Sequence, residues 1–234
     1  MQKRKNRRGI IYPLLLVRQG LMTLGFVFAL SACTNQPKEP SFSASGFIAD
    51  DGVVRLWRLN DQNSKPRVLM SVYSPYRNDN TVVTFYEYKQ GDLRQIRREI
   101  LNDKNPLSEQ LRLNKSGDVI FMQKQSKTRR ERLSSDDIVR MQFDAKRTLE
   151  LSDALIVGNV RLVQGHWNNG KVTTCAGETI SLEFEPYARS WLEQREKSSY
   201  SQLTIAWLEA PAGRELLLVA NNDFCRWEPT KDSL

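Results

Sequence analysis

The feature that most restricts this chain is its punctuation. Across residues 47–125, short runs rich in β-branched and aromatic residues alternate with turn signals at Asp51-Gly52, Ser74-Pro75, Gln90-Gly91 and Ser116-Gly117. The runs fall at 53–59, 67–73, 81–88, 107–113 and 119–122. Connections this short leave no room for the crossover that a parallel pair requires, so successive strands must pair antiparallel. One segment stays open: 92–100 reads as a strand after the Gln90-Gly91 turn, yet Leu93, Ile96 and Ile100 also fit one face of a helix.

The pattern changes after Arg132. Ser134-Ser135-Asp136-Asp137 supplies an N-cap and first-turn carboxylates, and Ile138, Met141, Ala145 and Leu149 follow as an apolar stripe at helical spacing. A capped helix start accounts for the paired aspartates without a catalytic role. Beyond Ser152 the strand pattern returns at 156–163, 171–175 and 179–185, with Asn169-Gly170 as a hairpin turn. Pro186 opens a second helix whose stripe is Ala188, Trp191 and Leu192, with Arg189/Glu193 and Glu193/Lys197 as helical ion pairs. Strand patterns at 203–207 and 215–220 and the segment Cys225-Arg226-Trp227 complete the chain. The fold class expected is α+β and β-rich: antiparallel strands with one or two short helices, arranged as one domain or as two small β-rich subdomains. The segments are 47–152, closed by the first helix, and 153–234, with the short helix and two cysteines.

The N-terminal segment is of another kind. Lys3, Arg4, Lys5, Arg7 and Arg8 precede the apolar run 21–30, which leads through Ser31-Ala32 to Cys33. A stretch of 23 residues from Ile10 to Ala32 is nominally long enough to span a bilayer. It contains Pro13 and Arg18, however, and its unbroken apolar part has the length of a signal-peptide core. Residues 1–32 are therefore expected to be a signal peptide. Leu30-Ser31-Ala32-Cys33 is similar to the bacterial lipobox, in which the cysteine becomes the first mature residue and carries lipid. Thr34, rather than an aspartate, follows Cys33; by resemblance to lipoprotein sorting signals this points to the outer membrane, on its periplasmic face. Residues 33–46, with Pro37, Pro40 and four serines or threonines (Thr34, Ser41, Ser43 and Ser45), read as a flexible tether.

Charge and cysteine content agree with export. The formal net charge of +8 suggests nucleic acid, but the first 32 residues hold six of the 35 basic residues and no acid. Removing them leaves 29 basic against 27 acidic residues, a net of +2 for the mature chain. Nucleic acid is disfavoured by this compartment. With Cys33 lipidated, Cys175 and Cys225 remain. An even number suits an oxidising compartment and a structural disulfide, which for a loop of about 50 residues contributes about 4 kcal/mol on the chain-entropy argument. A redox pair or a metal site is the alternative, but there is no Cys-x-x-Cys and the chain has a single histidine, His166.

Catalytic motifs are scarce. Neither Gly-x-Ser-x-Gly nor Ser-x-x-Lys occurs, nor any Walker-type phosphate loop, and zinc chemistry lacks clustered ligands in the sequence. No cofactor is expected. His166 reads as a residue beside a hairpin turn. Glu183 and Glu185, spaced to share one strand face, leave a carboxylate glycosidase formally open. The remaining charge feature is the run from Lys124 to Arg132, where Lys124, Lys127, Arg129, Arg130 and Arg132 accompany one acid. It serves either to protect a sheet edge from aggregation or to meet an anionic partner such as phospholipid headgroups or an acidic protein.

The order of features resembles a family of uncharacterised gammaproteobacterial lipoproteins, the YjaH-like group. The residues that carry the resemblance are Leu30-Ser31-Ala32-Cys33, Ser43-Ala44-Ser45-Gly46-Phe47 with Trp57, Arg130-Glu131-Arg132-Leu133-Ser134, and Cys175 and Cys225. It implies a cell type and no catalytic residues. The expectation is a lipoprotein anchored to the membrane through Cys33, acting as a non-catalytic binding or envelope-maintenance module toward an envelope protein or anionic lipid. The alternative is a carboxylate-dependent hydrolase of cell-wall or glycan substrates.

Overall fold

Two antiparallel sheets and two helices make up the computed structural model, which describes residues 39–77, 80–102 and 104–234. The expected signal peptide, the lipobox, Cys33 and Thr34 lie outside the described residues. The first sheet is a meander of β1 (Phe42–Ala49), β2 (Gly52–Asn60), β3 (Pro66–Pro75), β4 (Thr81–Lys89), β5 (Asp92–Leu101), β6 (Leu107–Leu113), β7 (Val119–Ser126) and the short β8 (Arg130–Glu131), paired in chain order. Helix α1 (Ser135–Val157) follows, then β9 (Arg161–Asn168), β10 (Lys171–Thr174), β11 (Thr179–Ser181), α2 (Pro186–Lys197), β12 (Leu203–Ala210), β13 (Gly213–Ala220) and a 3₁₀ turn, Phe224–Trp227. The second sheet has the order β11-β10-β9-β12-β13.

Turn chemistry sets the register. Gln90-Gly91 and Asn169-Gly170 both take positive φ, at 60° and 93° and at 50° and 82°, as a two-residue hairpin turn of the primed kind demands. They place Lys89 opposite Asp92 and Asn168 opposite Lys171. The segment 92–100 is thereby settled as strand, with Ile96 buried and Arg97 outward. In the first hairpin, Ala49 pairs with Gly52 and Phe42 with Leu59. Residues 42–46, read from composition as tether, are therefore the first part of β1. Gly46 packs so closely that a Cβ there would stand 2.6 Å from the Val54 carbonyl oxygen.

The core has three parts. Met141 and Ala145 of α1 pack on one face of the first sheet, against Leu69, Tyr86, Ile96 and Leu111. Leu192 of α2 covers Trp167, Val172, Leu203, Ile205 and Trp207 of the second sheet. Between the sheets lies a shared seam in which Val53, Trp57 and Val72 meet Leu162, Ala206 and Leu217, with Phe224 at its end. Strands β2 and β12 are consequently buried along almost their whole length. Burial includes two arginines on opposite faces of β2, Arg55 and Arg58. Arg58 is held by Asn60 at 2.7 Å, by Glu39 and by Asp153 of α1. Arg55, 1% exposed, crosses the seam to the Gln164 side-chain oxygen at 2.8 Å, and its guanidinium lies 4.5 and 4.7 Å from the ring centres of Phe224 and Trp227.

Several element boundaries differ from the sequence reading: the strand expected at 179–185 ends at Ser181, so Glu183 and Glu185 do not share a strand face. The strand expected from Ile156 begins instead at Arg161, because α1 continues to Val157. The β-branched pair Ile156-Val157 suggested a strand, but the first stop signal is Gly158-Asn159. Asn159 takes the left-handed conformation at φ 53°, and the Asn159 and Val160 N–H groups donate to the Ile156 and Leu155 carbonyls, a Schellman ending. The start of α1 is as expected: the Ser134 hydroxyl accepts from the Asp137 N–H and the Asp137 carboxylate accepts from the Ser134 N–H. At the C-terminus, Cys225 sits in the 3₁₀ turn. Its sulfur is bonded to that of Cys175, just after β10, with Cα atoms 5.0 Å apart.

Gly165 of β9 marks where the second sheet tolerates no side chain, since a Cβ would meet the Thr173 carbonyl oxygen at 2.5 Å and the Thr174 Cα at 2.9 Å. Gly165→Ala should cost about 1–3 kcal/mol of stability in urea unfolding. Gly177→Ala, with no neighbour within 4 Å but a φ of +89°, should cost only the backbone penalty of about 1 kcal/mol.

Candidate functional site

The basic run is divided by the fold. Lys124 lies on β7 and turns to the buried Glu109 of β6, at 3.2 Å, and to Asp137 of the α1 capping box, at 3.7 Å. It belongs to the support of the sheet rather than to a surface patch. Ser134 hydrogen bonds first, then Lys124 and Arg140, hold the Asp137 carboxyl below its ordinary range. Lys127, Arg129, Arg130 and Arg132 are exposed on and around the β7–β8 hairpin; Arg129 contacts Glu131 at 3.2 Å and Arg130 donates to the Gln125 side-chain oxygen at 3.1 Å.

Glu183 and Glu185 follow the short β11 and stay exposed, flanking the buried Phe184. They line an open cleft of about 780 Å³ together with Arg161, Glu209 and Arg214. Sequence reasoning passed over Glu209, although it is the best-held carboxylate there. Burial opposes its ionisation, but hydrogen bonds from Trp207 at 3.3 Å, Arg161 at 2.6 Å and Arg214 at 3.3 Å outweigh that and keep it below its ordinary range. A carboxylate held ionised between two guanidiniums is the reverse of the proton-holding general acid a glycosidase requires.

A second cleft, of about 870 Å³, runs along β13. Its floor is formed by consecutive residues of the strand, 216–220, and its walls by Tyr187, Trp191 and Arg195 of α2 and by Tyr76 and Arg77 after β3. Trp191, expected in the apolar stripe of α2, is 43% exposed. Leu192 alone reaches the core fully, and Tyr187, Trp191 and Arg195, four residues apart, form a separate stripe toward the cleft. That i, i+4, i+8 spacing was the signal available in the sequence. Strand β13 pairs with β12 and has no second partner among the described residues. The sheet edges are treated unequally: β8 is two charged residues, Arg130 and Glu131, whereas β13 presents Leu216-Leu217-Leu218-Val219-Ala220. A charged, very short edge discourages added strands, and an apolar edge of this length invites them.

A third constellation surrounds the disulfide. His166 of β9, half-buried, has Nε2 3.5 Å from the Asp223 carboxylate and Nδ1 3.5 Å from the Thr204 hydroxyl. Close by, Glu228 approaches the Arg55 seam; burial raises its carboxyl above the ordinary range, against the pull of Gln164 and Arg55. Burial likewise lowers the Arg55 guanidinium to about 10, which leaves it charged at neutral pH.

A fold of two antiparallel sheets with clefts at an apolar edge defines a β-rich protein, and the comparisons place it in a family. The chain belongs to the family described as "Protein of unknown function (DUF1481)", which matches residues 44–230. It is 37% identical over 225 residues to "Uncharacterized protein YjaH" of Escherichia coli (strain K12), covering 95% of this chain and 96% of that protein. No solved structure matches. Among the described residues, no helix is long and apolar enough to cross a membrane.

The division of the basic run has a measurable consequence. Lys124→Ala removes the nearest cation from buried Glu109 and should cost about 1–3 kcal/mol in urea unfolding. Arg132→Ala, on the exposed hairpin, should stay within about 0.5 kcal/mol of wild type.

Proposed function

We infer that the mature chain is a lipid-anchored, non-catalytic binding module at the periplasmic face of the outer membrane, and that it holds an extended segment of an envelope protein along β13. The observation that carries the binding part is the apolar, single-sided edge of β13 in a cleft walled by aromatic rings. Extended peptides bind such edges by continuing the main-chain hydrogen bonding of the sheet, with side pockets supplying selectivity. The charged residues lining the cleft are Arg77 and Arg195, which suits a segment bearing acidic side chains among apolar ones. The anchor rests on the basic leader, the apolar run and Leu30-Ser31-Ala32-Cys33; two or three acyl chains on one cysteine hold a protein firmly where one does not. Lys127, Arg129, Arg130 and Arg132 complement anionic headgroups from the β7–β8 hairpin. The hydrolase alternative finds less support, since Glu209 and its two arginines occupy the cleft that Glu183 and Glu185 line.

Labelled palmitate should enter the wild-type chain and not Cys33→Ser; incorporation into both would remove the anchor. Photo-crosslinkers placed in intact cells at Leu218 and at Phe143, an exposed residue of α1, test the cleft. Leu218 should yield a crosslinked envelope segment, and the combination Trp191→Glu with Arg195→Glu should abolish it at unchanged circular dichroism. Equal crosslinking from Phe143, or indifference to the double substitution, would refute docking at β13.

A further inference from the structure

The chain's single histidine stands where its two mature cysteines meet. One ligand-capable atom from each of His166, Asp223 and Cys225 lies within 4.8 Å of the others, and Cys175 is bonded to Cys225. Four side chains able to bind a metal thus converge from three places: β9, the turn after β10, and the loop and 3₁₀ turn after β13. In the sequence, zinc is disfavoured by the lack of a Cys-x-x-Cys pair and by the single histidine. The fold supplies the proximity that spacing did not.

While the disulfide is closed, neither sulfur is a thiolate, and the thiolate is the form that binds metal. We propose that reduction of Cys175–Cys225 converts this corner into a Cys₂HisAsp site for zinc or a similar divalent cation. The disulfide accepts two electrons and two protons from a dithiol, which leaves as its own disulfide, and two thiols result. Metal binding then displaces both thiol protons to solvent as two metal–sulfur bonds form. Tetrahedral zinc, with bonds of roughly 2.3 Å to sulfur and 2.0–2.2 Å to nitrogen and oxygen, sets its ligand atoms about 3.3–3.8 Å apart. The His166, Asp223 and Cys225 atoms draw in by about 1 Å, while the two sulfurs, bonded to each other in the disulfide, move apart to about 3.8 Å once reduced, both by side-chain rotation.

Supporting contacts orient the ligands in advance. Asp223 accepts from the Cys225 N–H at 2.9 Å, which fixes its carboxylate beside the sulfur, and lies 3.5 Å from His166 Nε2. The buried Thr204 hydroxyl stands 3.5 Å from Nδ1; in the tautomer with the proton on Nδ1 it accepts that N–H and leaves Nε2 for the metal. Both cysteines are half-buried, so reductant and ion have access. The ion would close the same chain loop as the disulfide, exchanging a covalent staple for a coordinated one. This inference stands apart from the reading of β13.

The test uses the full chain carrying Cys33→Ser, purified in detergent, so that Cys175 and Cys225 supply the only thiols. A phosphine reduces the disulfide, taking oxygen from water to leave as its oxide, and Co²⁺ is titrated as the spectroscopic probe. Reduced protein should show thiolate-to-cobalt absorption in the near ultraviolet and tetrahedral bands in the visible, saturating at one equivalent and bleached by Zn²⁺. Oxidised protein should show neither. His166→Ala and Asp223→Ala, first shown by thermal unfolding of their oxidised forms to be folded, should each weaken Co²⁺ at least about tenfold and alter the visible bands. The absence of bands at stoichiometric Co²⁺ would overturn the proposal, as would bands of unchanged position and affinity in His166→Ala. Loss of fold on reduction that one equivalent of Zn²⁺ does not reverse would overturn it equally.

Discussion

The guanidinium of Arg55 is the contact on which the joining of the two sheets depends. It leaves β2 of the first sheet, meets Gln164 of the second, and lies against the rings of Phe224 and Trp227 from the C-terminal turn. A buried cation is costly unless its charge and its donors are met. Here Gln164 and Ser74 take its two terminal nitrogens, at 2.8 and 3.2 Å, while aromatic faces and the partly buried Glu228 offset the charge. Cation–π contact of this desolvated kind is worth about 2 kcal/mol. Its Nε has no hydrogen-bond partner among the described residues, so the rest of the group depends on Gln164 of the second sheet and on Phe224, Trp227 and Glu228 of the chain end being in place. That couples the C-terminal turn, and with it the Cys175–Cys225 link, to the packing of the sheets.

The same dependence explains why the edges matter. The shared seam covers one face of β2 and of β12, and both strands are buried along almost their whole length, so the outermost strands carry the boundary with solvent. At β8 that boundary is short and charged, and α1 follows immediately from a capped start at Ser134. At β13 it is long and apolar, and Tyr187 and Trp191 of α2 stand exposed beside it. Interior packing does not require two exposed aromatics on a helix whose core contact is Leu192, and their position beside an unpaired edge is what supports the docking proposed for β13.

Much of the architecture was legible. The turn pairs Gln90-Gly91 and Asn169-Gly170 demand positive φ and so locate hairpins within a residue, and the Ser134 cap locates α1. The errors came where local preference and tertiary context compete. Ile156 and Val157 favour strands but sit in the last turn of α1, because Gly158-Asn159 provides the ending. Phe42 and Ala44 lie in a segment polar enough to read as tether, yet they pair with β2 and pack on the seam. For the candidate sites the sequence was less informative. Lys124 looked like one member of a basic run, and only the position of Glu109 on the neighbouring strand shows that it faces inward.

The sequence by itself determined what is local: the hairpin turns at Gln90-Gly91 and Asn169-Gly170, the antiparallel order of the first sheet, and the helix starts. These follow from backbone preferences and turn geometry within a few residues. Only the tertiary structure decided that Arg55 and Arg58 are core residues, that β13 is left as an open edge, and that His166 and Asp223 stand beside the disulfide. Each of those outcomes joins segments tens of residues apart. Periodicity reports that a strand has two faces, but what each face meets depends on how the sheets stack.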